Sequence, residues 1–331
     1  MNFAQSTSSP FTARVSSNKM VTRRPALGAA MLIAATFLFG LNGSTAKTIM
    51  QSGVTAAQIT LFRSLSTTII AGIVLLVTNR KAFRVAKGEW KWLVILGMAG
   101  VGLMQWSYAN AVANLPVGVA LLIQYTAVVI VPVASIWLFR ERLSTRLWLG
   151  VALVLAGLVA VSHIWEGGLS FIGIIFGATA AIATAIYYMV GEHLNTNRPA
   201  MSTLFYTMLF SSLMWFALTP WWDFDFGRFT TQLDLGGNLA GIHVAGWFAF
   251  AWLGIMGSFM PLFFTYAALS HLSATSVGVF STTETVFGFL FAYLWLGEKI
   301  DGLQTVGGLL VIAGIVIAQI SRRKSAWQPS N

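Results

Sequence analysis

Residues 278 to 291 read GVFSTTETVFGFLF, and Glu284 is the only ionisable side chain among them. A carboxylate in such surroundings can bind a cationic ligand, take up a proton, or do each in turn. Gln124, in PVGVALLIQYT at 116–126, can both donate and accept hydrogen bonds, which suits a polar or zwitterionic ligand. Arg63, in TLFRSLST at 60–67, could hold a ligand carboxylate or pair with Glu284. Tyr108, Tyr125 and Tyr188, with Asn110 and Tyr266, offer further polar groups inside apolar stretches, and Trp106 is a candidate pocket wall. Each has a plainer reading beside the functional one. Glu284 could be a protonated acid bonded to a neighbouring helix, and Gln124 an interhelical hydrogen bond. Arg63 could snorkel to an interface, as Lys47 is expected to do from its place nearer a helix end.

The elements that carry these side chains can be read from composition. Of 331 residues, 56% are hydrophobic and 9% charged, against roughly 25% charged in soluble proteins. So few charges cannot cover a water-soluble surface of this size, so the chain reads as an all-α, multi-pass integral membrane protein. Apolar segments near the length of a bilayer-spanning helix occur ten times: 26–47, 57–78, 91–111, 116–139, 145–164, 170–191, 201–222, 244–268, 274–296 and 302–320. On this division Glu284 and Gln124 both fall near the bilayer midplane. An ionised carboxylate there costs about 2.5–3.5 kcal/mol on insertion scales, so it should face a cavity or a partner.

The net charge of +10 is a matter of sides. With the amino terminus in the cytoplasm, sixteen of the twenty Lys and Arg fall on the inner side, and only Arg228 and Lys299 on the outer. The positive-inside rule then puts both termini in the cytoplasm, and no nucleic-acid partner is expected. Arg23-Arg24 before ALGAAMLIAATFLFG resembles a secretory signal, but the apolar run is long for one, and an internal repeat needs the first helix. Residues 1–22 read as a disordered cytoplasmic tail and 321–331 as a second tail. Trp90, Trp92, Trp221 and Trp222 at span ends suit an interfacial belt.

The chain reads as two copies of one unit, 26–164 and 170–320. A shift of 157 aligns Leu115 with Leu272, Thr126 with Thr283, Glu141-Arg142 with Glu298-Lys299, and Ala156-Gly157 with Ala313-Gly314. Upstream the shift is 143, where Ala35-Thr36 meets Ala178-Thr179 and Thr60-Leu61-Phe62 meets Thr203-Leu204-Phe205. The difference places an insertion in 223–243. Each unit has five helices, an odd number, so the second must be inverted. Inverted repeats in a membrane suit alternating access to a midplane site.

Ten helices in two five-helix units resemble the EamA-type branch of the drug/metabolite transporter superfamily, as do Leu-Phe-Arg at 61–63, WLFRERL at 137–143 and WLGEKI at 295–300. Residues 116–126 and 281–284 are similar to the corresponding stretches of threonine/homoserine exporters. They differ in that Gln124 stands where those have a glutamate, and Val128 and Thr285 where they have prolines. The resemblance implies a secondary transporter of the plasma membrane that exports amino acids or related small polar metabolites. Glu284 and Gln124 would hold the substrate's polar groups, and Glu284 would exchange the coupling proton. The aromatic content also admits a hydrophobic drug or a purine-like compound as substrate. An intramembrane enzyme would need a second acid, a Ser/Lys pair or a His cluster in the membrane, so none is expected. His163, His193, His243 and His271 do not cluster, and no phosphate-cradling motif is present, so neither metal nor other cofactor is expected. The partners expected are the small-molecule substrate and membrane lipids. Oligomeric state has no signature in the sequence.

Overall fold

The computed structural model describes residues 24–127, 129–130, 145–162, 169–195, 198–269, 271–272, 277, 280–281, 283–298 and 301–325. The amino-terminal tail, Val128, the Glu141-Arg142 turn, His163 and Lys299 lie outside the described residues.

Within them, helix occupies each of the ten apolar stretches. These helices are α1 (Pro25–Gln51), α2 (Ala56–Thr78), α3 (Trp90–Asn114), α4 (Val117–Tyr125), α5 (Thr145–Ser162) and α6 (Phe171–Asn195). They continue with α7 (Ala200–Leu218), α8 (Gly246–Ala268), α9 (Thr283–Leu296) and α10 (Gly302–Ser325). Six of them, α1, α2, α3, α6, α7 and α8, are long and apolar enough to cross a membrane. Trp221 and Trp222, read from the sequence as the end of the seventh span, instead form a short turn after α7 because Pro220 interrupts the helix.

Local chemistry sets the helix starts. At α2, Thr55 Oγ1 accepts from the Gln58 amide at 3.2 Å while Gln58 Oε1 accepts from the Thr55 amide at 3.0 Å, a reciprocal capping box. Pro116 and Pro199, unable to donate a backbone hydrogen bond, stand immediately before α4 and α7. The insertion after α7 carries a two-stranded antiparallel hairpin, β1 (Gln232–Asp234) with β2 (His243–Ala245), in which Gln232 pairs with Ala245. The Gly236 and Gly241 amides donate to Asp234 in its turn, and they hold its carboxyl below the usual carboxylate range.

The packing has a mirrored order. α3 and α4 pack on α6, while α8 and α9 pack on α1. α2 packs on α7, and α5 on α10. The last pair meets backbone to backbone. A side chain on Gly157 would strike Gly307 O at 2.5 Å, and one on Gly314 would strike Gly150 O at 2.6 Å. Gly150 and Gly157 are the residues that the 157-residue shift equates with Gly307 and Gly314. The contact is therefore reciprocal, and the two helices cross antiparallel.

Two helices are interrupted at corresponding places. α3 widens into a π-helical segment at Leu96–Gly102 and α8 at Ile255–Phe259, which the same shift brings into overlap. Such segments leave carbonyls free for other donors. Trp215 of α7 donates to Gly102 O at 3.1 Å, and Arg63 of α2 donates to Gly257 O at 3.0 Å.

Candidate functional site

Glycines let α1, α4 and α9 converge. A side chain on Gly40 would meet Phe287 and the Gly288 backbone at 2.6–2.9 Å. Gly118 lies against Phe289, and Gly288 against Leu121. The GxxxG of α6 serves the same end: a side chain at Gly173 would meet Leu115 at 2.6 Å and one at Gly177 would meet Ile123 at 2.8 Å. Helices pressed this closely bring their polar side chains to one place.

That place is a cavity among α1, α2, α3, α4, α6, α8 and α9. Six of the seven residues proposed from the sequence line it: Glu284, Gln124, Arg63, Tyr125, Tyr108 and Tyr188. Glu284 is 8% exposed, and its Oε2 accepts a hydrogen bond from the Tyr125 hydroxyl at 2.6 Å. Tyr188 stands beside Tyr125 and Ser281. Arg63, 3% exposed, directs Nη2 to the Gly257 carbonyl, while its buried Nε has no protein partner. Among the described residues, Arg63 and Glu284 are the only Arg, Lys, Asp or Glu in the wall, and each makes its hydrogen bond to another group.

Trp106 does not line the cavity. Its ring stacks on Trp215 at 5.3 Å and meets Phe176 edge-on, so it packs in the α3–α6–α7 seam. Asn110 donates to the Trp106 carbonyl of its own helix at 2.9 Å, and Tyr266 is fully buried against Tyr187. Lys47, expected to snorkel, has its Nζ 2.6 Å from Glu298 Oε1 and donates to Leu115 O at 3.3 Å.

The structure adds lining residues that sequence reasoning passed over, chiefly Asn42, Gln105, Tyr187, Thr36 and Ser281. One signal could have found several of them. Under the 157-residue shift Gln105 corresponds to Leu262, Tyr108 to Thr265 and Gln124 to Ser281, and both members of each pair line the cavity. The arrangement combines a buried cation, a buried carboxylate and several uncommitted amide and hydroxyl groups. It can take a small ligand that carries both charges and hydrogen-bonding groups.

The EamA-like transporter family matches residues 26–163 and again 171–319. An uncharacterized transporter of Archaeoglobus fulgidus is 26% identical over 212 residues, covering 64% of this chain and 70% of that protein. The pseudopaline exporter CntI of Pseudomonas aeruginosa is 24% identical over 298 residues, covering 90% of this chain and 96% of its own. A protein of known crystal structure superposes with a TM-score of 0.62 at 16% identity, covering 90% of this chain and 99% of that one, which shows a shared fold. The chain belongs to the EamA-like transporter family and is an integral, multi-pass membrane transporter.

Proposed function

We propose that the protein exports amino acids or closely related zwitterionic metabolites by alternating access, in exchange for protons. The observation that carries this reading is the pairing of Arg63 and Glu284 in one buried cavity, with neither charge committed to the other. A zwitterion satisfies both at once: its carboxylate meets the guanidinium and its ammonium meets the Glu284–Tyr125 pair. An uncharged drug would leave both charges unpaired in a buried site, which is costly. Export as the direction draws support from the relative named as a pseudopaline exporter.

In this reading the two five-helix units are inverted copies that rock about the cavity. The mirrored helix packing and the antiparallel α5–α10 crossing support it. Glu284 releases the substrate ammonium on the outer side and takes up a proton there, then carries that proton inward and gives it up as the next ammonium binds, so substrate and proton alternate on one carboxyl group.

The test is efflux of labelled amino acids from proteoliposomes under an imposed pH gradient. Glu284→Gln is expected to lower the rate at least about 100-fold and to remove its dependence on the gradient. An unchanged rate and pH profile would take Glu284 out of the mechanism.

A further inference from the structure

Gln105 is 3% exposed and lines the cavity, yet neither its amide nitrogen nor its amide oxygen has a protein partner. Two other amides on the same helix behave differently. Asn110 and Asn114 each donate to a carbonyl one turn back, at 2.9 and 2.8 Å, as amides on a helix commonly do when they have no other role. Asn42 of α1 also lines the cavity, and its buried Oδ1 likewise has no protein partner. It sits opposite Gly257, where a side chain would strike that oxygen at 2.5 Å, so the same glycine that binds Arg63 through its carbonyl makes room for Asn42.

The scaffold does not require an amide at 105. The corresponding residue of the second unit, Leu262, lines the same cavity from α8 as plain hydrocarbon. The two side chains are close in size, so the position packs with either, and what Gln105 adds is hydrogen-bonding capacity. A buried primary amide left without partners is costly, and a ligand group that both donates and accepts cancels that cost.

We propose that Gln105, assisted by Asn42, reads the substrate's side chain and selects those bearing a carboxamide or hydroxyl over hydrocarbon ones of equal size. This rests on the zwitterion reading: Arg63 and Glu284 take the charges common to all amino acids, and Gln105 and Asn42 take what differs among them. A site built to hydrogen-bond discriminates strongly against an analogue lacking the group, because the site's own polar atoms are then stranded.

Glutamine and leucine, similar in volume, are the probes. In proteoliposomes the native protein should transport glutamine with a kcat/KM about 100-fold above leucine. Gln105→Leu should cut that ratio to about fivefold or less, mainly by raising KM for glutamine, and Gln105→Met should do the same with a different shape. Gln105→Asn should restore part of the preference. Glutamine should raise the Tm of the native protein and not that of Gln105→Leu. A ratio unchanged in an active, monodisperse Gln105→Leu or Gln105→Met protein would overturn the assignment of Gln105 while leaving the zwitterion reading intact. Transport of neither amino acid by the native protein would overturn both.

Discussion

Among the described residues, Glu284 takes its side-chain hydrogen bond from Tyr125. The Tyr125 hydroxyl donates to one of the Glu284 carboxylate oxygens at 2.6 Å. Hydrogen bonds to charged groups are worth about 1.5–3 kcal/mol, so Tyr125→Phe, which keeps the ring and its packing, is expected to lower kcat/KM by about 10- to 100-fold without loss of fold. Efflux kinetics beside a thermal melt would separate the two effects, and a melt that falls in step with transport would count against a site role. Glu284, Gln124 and Arg63 are legible in the sequence because a charge or an amide inside an apolar span is conspicuous whatever the helix's orientation. Gln105 and Asn42 are not. Each sits among small or polar neighbours, in QWSYAN and LNGSTA, that mask a lone amide. Trp106, adjacent to Gln105, stands out in its place because aromatic size draws attention while the sequence leaves the facing of α3 open. In a helix apolar on every side, periodicity carries little information about which side faces a cavity.

At the scale of elements, the π-helical segments explain why facing is hard to read. Each widens the helix and shifts the angular phase of the residues beyond it, so an i, i+4 reading from Trp90 does not carry across Leu96–Gly102 to Gln105 and Tyr108. Span positions are legible because length and apolarity are summed properties. The same summing makes the seventh span too long, since Trp221 and Trp222 are apolar yet come after Pro220. The ends of the elements hold a second device. Glu298, just past α9, accepts from Lys47 of α1 at 2.6 Å and from the Val117 amide at the start of α4 at 2.9 Å. One carboxylate thus ties three helices that contribute residues to the cavity. The hairpin reinforces the tie: Thr48 and Trp295 both donate to Leu235 O, and Asn238 donates to Tyr293 O. A partly exposed ion pair is worth up to about 1 kcal/mol, close to a fivefold change in a conformational population. Lys47→Met should therefore speed labelling of a cysteine placed at Ser281 by an impermeant thiol reagent added outside by about fivefold. An unchanged labelling rate would show that the tie does not gate the cavity.

For the whole molecule, sidedness decides whether these parts form a transport cycle. The charge asymmetry predicts that the α2–α3 connection, with Arg80, Lys81, Arg84 and Lys87, faces the cytoplasm and that the β1–β2 hairpin faces outward. The chain has no cysteine, so one introduced cysteine reports on one place without background. In intact cells an impermeant maleimide should label Gln232→Cys, in the exposed face of β1, and should reach Lys87→Cys only after permeabilisation. The reverse pattern would place the Lys47–Glu298 tie at the cytoplasmic end, making it an inner gate. Labelling of both positions from one side would refute the inverted arrangement itself, because an odd number of spans separates them in every ten-helix reading. The expected pattern puts the antiparallel α5–α10 crossing on the pseudo-symmetry axis, with the cavity between units of opposite sense. Two such units can exchange conformations, and that exchange would present Glu284 first to one side of the membrane and then to the other.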